Sequence, residues 1–518
     1  MGNSKQNKEL ILTGENLTIK SLYEASLSPH TEVKIEISDL AQEKMARSRK
    51  YVHEVVKKGK PVYGINTGFG ALSSKFIPEE DLATLQVNLI RSHCTGIGEP
   101  FSEKFVRAIM ILRTNCLCSG FSGINPEIVN LLKDFINHGI VPIIPQKGSV
   151  GASGDLAPLA HLALALIGEG EVIYKGQKRK SSEVLKEVNL RPAVLGPKDG
   201  LALINGTAIM AALGAMAVYE SKNLIKLSDI ACALTVDGIR GTSKAFDLDI
   251  SSLKPHLGQK ESAANLEKLL KDSELMVSHS DCERVQDPYS LRCAPQVHGA
   301  IRQTIRHAEE VVQTELNSIT DNPLIFCDKD KVISGGNFHG QALSFCMDYL
   351  AIGLAEICNI SERRVEKMMN PSFSELPAFL TKNSGLNSGL MIAHVSAAAL
   401  TSENKVFCHP ASVDSIPTST DKEDHVSMGV TAGLKLWKVL ENVKACLAIE
   451  ILCNTQALEF QRPYKSTPCL ESVYDLVRKV VPPIEEDRVF YDDIKNILEL
   501  VEKNNIIEAV ENNIGELK

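Results

Sequence analysis

The stretch TAIMAALGAMAVYESKNLIKL, from Thr207 to Leu227, places apolar residues on most faces of any helix that it forms. A helix that is apolar on most of its faces has to be buried among other elements. Three further segments, residues 297–316, 341–369 and 428–453, repeat apolar residues at i, i+3, i+4 and i+7 over many turns. The sequence therefore predicts a mainly α fold whose core is a bundle of long helices.

The chain before about residue 200 has a different texture, with frequent glycine and proline. Alternating residues predict short strands in LTIKSLYEAS (17–26) and TEVKIEIS (31–38), and a hairpin over residues 169–180. Helices are predicted over 79–92, 103–118 and 125–138. We expect three parts: a mixed, loop-rich N-terminal domain (1–200), a central long-helix bundle (201–480) and a helical C-terminal tail (481–518).

The composition argues against several classes of protein. The formal net charge is −8 and no large cluster of lysine and arginine stands out, so we expect no nucleic-acid partner. The 13 cysteines are scattered without a CxxC pair, which is typical of a reducing compartment. The N-terminus does not read as a signal peptide, and the longest apolar run, residues 156–167, is too short to span a bilayer. We expect a cytoplasmic protein without a membrane partner.

One of four polar segments in this apolar background is KGSVGASGDLAPLAH, from Lys147 to His161. It is not a Walker loop, because Gly154 is followed by Asp155, and it lacks the G-x-G-x-x-G spacing. It is not a nucleophile elbow, because Asp155 takes the place of the second glycine around Ser153. No HExxH motif or paired histidine spacing predicts a metal. The spacing alone fits a glycine-rich turn in which Asp155 caps the following helix.

The tripeptide Ala152-Ser153-Gly154 supports a more specific chemistry. If the Gly154 nitrogen attacks the Ala152 carbonyl carbon and Ser153 loses water, a five-membered ring with an exposed methylidene carbon results. This ring is an electrophile, a type of reagent that none of the twenty side chains supplies. The neighbouring glycines permit the strained backbone that the cyclisation requires.

The stretch GASGDLAPLAHLAL resembles the signature of the aromatic amino acid ammonia-lyases and aminomutases, which form the prosthetic group 4-methylideneimidazol-5-one (MIO) from Ala-Ser-Gly. The resemblance runs from about Pro61 to Gln461 and includes YGINTGFG, LINGT, VQDPYSLRC, TDNPL, SGGNFHG, SERR, SENK and HPASVDSIPTS in the same order. It implies that MIO forms from Ala152, Ser153 and Gly154, without a metal or a nucleotide. It also implies a homotetramer whose active sites take residues from more than one chain.

The resemblance implies roles for further side chains. Tyr63 looks like the base that removes the β-proton, which requires surroundings that favour its phenolate. Arg292 is suited to a bidentate contact with the substrate carboxylate. The remaining matches are Asn205 and Tyr289, near the ring and the substrate amine, and Gln286 and Phe338, in the substrate pocket.

Two positions bear on the identity of the substrate. The resemblance places His93 where family members read the substrate side chain, and Glu423 where the histidine enzymes carry a catalytic glutamate. A carboxylate and a histidine can both hydrogen-bond to an imidazole, whereas a phenyl ring would leave both unpaired at about 1–3 kcal/mol each. We therefore expect the substrate to be L-histidine, converted to trans-urocanate and ammonia.

Several alternatives stay open at this point. The histidine enzymes typically read Asn-Gln before Glu-Asp-His, whereas this chain has Asp421-Lys422, and the lysine either changes the charge of the pocket rim or points to solvent. A lyase or 2,3-aminomutase acting on tyrosine or phenylalanine is the first alternative function. A catalytically inactive helical assembly protein is the second, but its mark would be the loss of Tyr63, Ser153 or Arg292, and all three are present.

Overall fold

The computed structural model describes residues 8–28, 32–279 and 285–518. These residues form two compact units, each built from segments that are distant in sequence. Unit 1 comprises the described residues of Met1–Tyr219, Glu309–Asp348 and Pro410–Leu434, and unit 2 those of Glu220–Ala308, Tyr349–His409 and Lys435–Lys518. The described residues include 21 α-helices and nine short strands, which confirms the mainly α class. The division into three sequence domains stays a prediction.

Unit 1 holds all nine strands of the described residues and eight complete helices. The strands are β1 (Lys8–Leu12), β2 (Val33–Ile37), β3 (Ile97–Pro100), β4 (Val141–Pro142), β5 (Pro145–Lys147), β6 (Glu171–Tyr174), β7 (Gln177–Lys180), β8 (Leu324–Phe326) and β9 (Lys331–Ile333). The helices are α1 (Ile19–Leu27), α2 (Asp39–Lys57), α3 (Leu82–His93), α4 (Glu103–Cys118), α5 (Pro126–His138), α6 (Leu156–Leu166), α7 (Ser181–Glu187) and α8 (Asp199–Ile204).

The four longest helices contribute residues to both units, in agreement with the four long apolar segments of the sequence. They are α9 (Ala208–Gly238), α14 (Ala294–Glu315), α15 (Gln341–Met369) and α18 (Gly429–Gln461). The other helices of unit 2 are α10 (Leu248–Leu253), α11 (Leu257–Leu270), α12 (Glu274–Ser278), α13 (Tyr289–Arg292), α16 (Pro371–Ser374), α17 (Met391–Phe407), α19 (Pro468–Arg478), α20 (Phe490–Glu502) and α21 (Asn505–Ile514).

Capping residues in the local sequence explain where helices of unit 1 begin and end. Helix α4 has the predicted bounds, and α5 begins after Asn125, whose side chain accepts a hydrogen bond from the backbone N–H of Glu127. Gly139 ends α5 in the left-handed conformation, with φ of +66°. Helix α3 begins at Leu82, because Glu79–Asp81 forms a single turn of 3-10 helix.

The strand predicted for residues 17–26 is wrong, because this segment forms helix α1. Thr18 and Ser21 build a reciprocal capping box, in which each side chain accepts from the backbone N–H of the other. Ile19, Leu22 and Ala25 then face the interior at helical spacing. The neighbouring prediction is confirmed, since residues 33–37 form strand β2 in parallel with β1.

Along the chain, strands β3 to β5 precede the loop that carries Ala152-Ser153-Gly154, and the hairpin of β6 and β7 follows helix α6. Strands β6 and β7 form the predicted hairpin, and their turn residues Lys175 and Gly176 both have positive φ, as a two-residue hairpin turn requires. Strand β5 pairs antiparallel with β3 and leads directly into the loop, which ends where α6 begins. The loop is therefore held at one end by a strand and at the other by a helix.

The buried carboxylate of Asp229 in unit 2 lies at the centre of a hydrogen-bonded network. The Asp229 carboxylate accepts hydrogen bonds from the Ser262 hydroxyl at 2.6 Å, from His298 Nδ1 at 2.7 Å and from an Arg302 guanidinium nitrogen at 2.6 Å. Burial alone raises the pKa of Asp229, but Arg302 and His298 outweigh burial and bring this pKa to about 2. This network ties α9 to α11 and α14.

Helix α15 is the one helix of the described residues that is long and apolar enough to cross a membrane. Within its most apolar window, 72% of the helix is buried inside the protein. This degree of burial is what the core helix of a soluble fold shows, and we assign α15 that role.

Candidate active site

Gly154, the last residue of the tripeptide Ala152-Ser153-Gly154, has a left-handed backbone conformation that favours glycine. Gly154 has φ of +74°, and a Cβ added to it would lie 2.3 Å from the carbonyl oxygen of Gly206. Gly154 and Gly206 form an isolated parallel bridge, and the backbone N–H of Asp155 donates to the Gly206 carbonyl at 2.8 Å. The loop is thus pressed against the segment that precedes α9.

Asp155 lies at the start of α6 but caps a different helix from the one expected. Its side chain makes no capping hydrogen bond to α6. Instead, its carboxylate accepts from the backbone N–H groups of Ile209 at 2.8 Å and Met210 at 3.2 Å, in the first turn of α9. Burial raises the pKa of Asp155 to about 7, although these hydrogen bonds oppose the shift. One carboxyl group therefore links the loop to the beginning of α9.

Asn205 contacts the tripeptide directly. Its side-chain Nδ2 donates a hydrogen bond to the Ser153 carbonyl oxygen at 2.8 Å. Its Oδ1 is buried and has no hydrogen-bond partner among the described residues. A buried acceptor without a partner is costly, so this oxygen is available to a donor from outside the described residues.

Glu423 lies directly against the tripeptide. The Ser153 hydroxyl donates to Glu423 Oε1 at 2.7 Å. The Thr418 and Ser419 hydroxyls donate to Oε2 at 2.7 and 2.9 Å. The carboxylate is half-buried and both of its oxygens accept hydrogen bonds, while the Lys422 side chain is exposed.

Tyr63 and His93 belong to the same site in unit 1 as Glu423, because the charge of Glu423 acts on both. Burial lowers the pKa of the His93 imidazole, with opposition from Leu89 and Glu423, so His93 favours its neutral form. Burial raises the pKa of the Tyr63 phenol, a backbone hydrogen bond with Gly70 lowers it, and Glu423 raises it. The net shift in the pKa of Tyr63 is upward, so its surroundings do not favour the phenolate, contrary to expectation.

Phe338 lies on a segment of unit 1 that packs close to the same loops. Its side chain is half-buried, and the ring of the next residue, His339, is stacked parallel to that of His425 with centroids 5.7 Å apart. A Cβ on Gly340 would lie 2.5 Å from Met210. These contacts place the Phe338 segment beside the beginning of α9 and the segment that follows Glu423.

Gln286, Tyr289 and Arg292 belong to unit 2. Gln286 and Tyr289 are exposed, and the Arg292 guanidinium lies over the Tyr289 ring at 4.5 Å from its centroid. Arg292 Nε also donates to the Asp287 carbonyl at 3.0 Å. The remaining guanidinium nitrogens give Arg292 the fork that binds carboxylates in a bidentate manner. Its role and those of its two neighbours stay predictions.

Two residues that contact the site were not singled out in the sequence. Thr418 and Ser419 lie within the quoted motif HPASVDSIPTS, five and four residues before Glu423. The available signal was a pair of hydroxyl residues just before a carboxylate in a turn-forming stretch. Among the described residues, no group of three or more His, Cys, Asp or Glu side chains is placed to hold a metal ion.

Comparison with known proteins identifies the family. The family model described as aromatic amino acid lyase matches residues 17–479. The histidine ammonia-lyase of Myxococcus xanthus is 48% identical over 501 residues, which is 97% of this chain and 98% of that relative. The chain belongs to the aromatic amino acid lyase family. The resemblance found from the motifs is confirmed, and the family match extends beyond Pro61–Gln461 in both directions.

Solved structures of the family share the fold of this chain over nearly its whole length. The histidine ammonia-lyase of Trypanosoma cruzi is 45% identical, has a TM-score of 0.91 and aligns over 98% of this chain and 96% of its own. The tyrosine aminomutase of Streptomyces globisporus is 33% identical, has a TM-score of 0.93 and aligns over 98% and 100%. The same fold thus occurs in a histidine ammonia-lyase and in a tyrosine aminomutase. The residues of the site, and not the fold, have to distinguish such enzymes.

Proposed function

We propose that this chain is a histidine ammonia-lyase that converts L-histidine to trans-urocanate and ammonia. The observation that carries the proposal is the position of Glu423, a half-buried carboxylate hydrogen-bonded to Ser153 and close to His93. A carboxylate acceptor and a neutral imidazole together match the two nitrogens of the substrate ring. The similarity to curated histidine ammonia-lyases over 97% of the chain supports the same assignment.

The residues of the loop fit the prosthetic group MIO. Forming it requires a bond from the Gly154 nitrogen to the Ala152 carbonyl carbon with loss of one water, and loss of the Ser153 hydroxyl as a second water. The positive φ of Gly154 supports a tight bend at this point, and Asn205 already donates to the Ser153 carbonyl, which becomes the ring carbonyl. The group would supply an electrophilic carbon that takes up the substrate amine and makes ammonia a better leaving group.

The residues that the motifs singled out have separate roles in binding the substrate. Glu423 and His93 hold the imidazole ring, and the unpaired Oδ1 of Asn205 accepts from the substrate ammonium. Arg292 binds the substrate carboxylate, with Tyr289 beside it. The family resemblance gives Phe338 and Gln286 further roles in substrate binding. Fixing the substrate at several points orients the β-proton for removal.

Tyr63 is the residue that we propose as the base for the β-proton. Burial and the charge of Glu423 both disfavour its phenolate in the free protein. A positive charge nearby would favour the phenolate, and the substrate brings one in its ammonium group. We therefore expect the phenolate of Tyr63 to form when the substrate is bound.

Tyrosine aminomutase activity is the second candidate, because a tyrosine aminomutase aligns over 98% of this chain. A mutase returns the ammonia to the β-carbon, so its product is a β-amino acid rather than an acrylate. Glu423 favours an imidazole over a phenol, because an imidazole offers two separate nitrogens to Glu423 and His93, whereas a phenol offers a single oxygen. An inactive assembly protein has no need for the retained Tyr63, Ser153 and Arg292.

We also propose that the enzyme is a cytoplasmic homotetramer. Helix α17 exposes the apolar side chains of Ile392, Val395 and Val406, at 63%, 55% and 70% of their surface. Exposed apolar residues along one helix are typical of a protein interface. Native mass spectrometry of the purified protein tests the assembly, with four copies expected and a monomer as the contrary result.

The substrate assay is direct. The purified chain is mixed separately with L-histidine, L-tyrosine and L-phenylalanine, and the ultraviolet absorbance of the conjugated acrylate is followed, with chromatography for β-amino acids. Acrylate from histidine alone is the expected result. No product from histidine overturns the proposal, and a β-amino acid from tyrosine replaces it with the mutase.

A further inference from the structure

We propose that Thr418 and Ser419 are positioning residues that fix the carboxylate of Glu423 so that one oxygen, Oε1, faces the substrate. The inference rests on the proposed function, in which Glu423 binds the imidazole ring. The two hydroxyls donate to Oε2 at 2.7 and 2.9 Å, and neither of them donates to Oε1. We call Thr418–Glu423 the carboxylate turn.

The backbone of the carboxylate turn holds its two ends together. The Thr418 N–H donates to the Glu423 carbonyl at 3.0 Å, and the Glu423 N–H donates to the Thr418 carbonyl at 3.3 Å. The Lys422 N–H donates to the Ser419 carbonyl at 3.3 Å inside the turn. This pairing places the Thr418 side chain beside that of Glu423, so its hydroxyl reaches the carboxylate without a long or flexible linker.

Three consecutive residues of the carboxylate turn have a conformation that L-residues avoid. Ser419, Thr420 and Asp421 have φ of +52°, +52° and +62°, and none of them is glycine. A run of three such residues persists only where the surrounding structure over-determines it, and such strain gathers at functional sites. Here the strained turn brings Ser419 into contact with Glu423.

The two oxygens of Glu423 have partners of different kinds. Oε2 is held by hydroxyls of its own turn, whereas Oε1 is held by Ser153, which loses its hydroxyl as water when the tripeptide cyclises. Oε1 is therefore the oxygen that is left for a substrate N–H. A carboxylate fixed on one oxygen retains little freedom to lose on binding, which favours affinity for a ring with an N–H donor.

The test is a double-mutant cycle between Thr418→Val and Glu423→Gln, with Thr418→Ser as the conservative variant and Thr314→Val, an exposed threonine of α14, as the matched control. Thr418→Val is expected to raise KM for L-histidine about tenfold with a smaller change in kcat, because it removes binding rather than chemistry. In the Glu423→Gln background the same change is expected to alter kcat/KM less than twofold. Thr418→Ser is expected to restore KM, and Thr314→Val to leave it unchanged.

A binding measurement separates this inference from the proposed function. Titration calorimetry of L-histidine is performed on Tyr63→Phe, with and without Thr418→Val, so that substrate is not consumed. About tenfold weaker binding with Thr418→Val supports the positioning role. Equal affinity in the two proteins, or an equal loss of kcat/KM in both Glu423 backgrounds, overturns it. If the unaltered chain forms no urocanate and Tyr63→Phe binds no histidine, the proposed function is overturned, and this inference is overturned with it.

Discussion

The hydroxyl of Ser153 donates a hydrogen bond to Oε1 of Glu423 at 2.7 Å, although 270 residues separate the two along the chain. This contact joins the residue expected to become the reactive carbon to the residue expected to select the substrate. The same carboxylate acts electrostatically on Tyr63 and His93. Glu423 therefore interacts with three of the predicted site residues of unit 1: Ser153, Tyr63 and His93.

Replacing Glu423 with glutamine is expected to lower kcat/KM for L-histidine by about 10- to 100-fold, because a hydrogen bond to a charged group contributes about 1.5–3 kcal/mol. The glutamine keeps the volume of the side chain and removes its charge. Asp424→Asn, at an exposed neighbouring position, is the matched control and is expected to have no effect. Steady-state urocanate formation measures both variants, and an unchanged rate with Glu423→Gln would contradict the role given to this residue.

Ser153→Ala is expected to prevent formation of the prosthetic group and to abolish activity. The intact mass of the unaltered chain should fall short of the mass of its sequence by two water molecules, and Ser153→Ala should not show this deficit. Ser402→Ala, at an exposed position on α17, serves as the control with the full deficit. Full activity of Ser153→Ala would falsify the assignment of the tripeptide.

Gly154→Ala is expected to destabilise the protein more than Gly176→Ala. The two glycines have nearly equal φ, +74° and +73°, so a left-handed alanine costs about 1–2 kcal/mol at either place. The Gly176 Cβ would meet nothing within 4 Å, whereas the Gly154 Cβ would lie 2.3 Å from the Gly206 carbonyl oxygen. Thermal unfolding measures the difference, and equal losses in the two variants would mean that Gly154 is not closely packed.

The buried Asp229 is expected to contribute to unfolding in acid. Its pKa is about 2 in the folded chain against 3.8 ordinarily, so the stability it provides is present above about pH 4 and is lost as the pH falls toward 2. This difference corresponds to about 2 kcal/mol. The gap in melting temperature between the unaltered chain and Asp229→Asn should therefore narrow from pH 4 to pH 2. Asp424→Asn should show no such narrowing, and a constant gap for Asp229→Asn would count against the shift.

Much of the fold follows from periodicity in the sequence. Helix α4 has the predicted bounds because its apolar spacing and its ends are both clear, and Asn125-Pro126 marks the start of α5. Helix α1 was predicted as a strand because residues 17–26 alternate in polarity. Its capping box depends on the two side chains of Thr18 and Ser21 exchanging hydrogen bonds, which alternation does not reveal.

The site was less predictable than the fold. Motifs located Tyr63, His93, Ser153, Asn205 and Glu423, which unit 1 brings together. The motifs do not predict the pKa of Tyr63. Its upward shift arises from burial and from Glu423, which is 360 residues away along the chain. Asp155 was expected to cap its own helix, but the approach of the first turn of α9 gives its carboxylate other partners.

The way Asp155 and Asn205 bracket the tripeptide limits what protein engineers can do with it. A short peptide containing Ala-Ser-Gly, grafted into an unrelated scaffold, would lack the carbonyl of Gly206 beside Gly154 and the amide of Asn205 on the Ser153 carbonyl. It would also lack a helix whose first turn anchors the following aspartate. The transplantable unit is therefore the loop together with the start of α9, carried over as one block of tertiary structure.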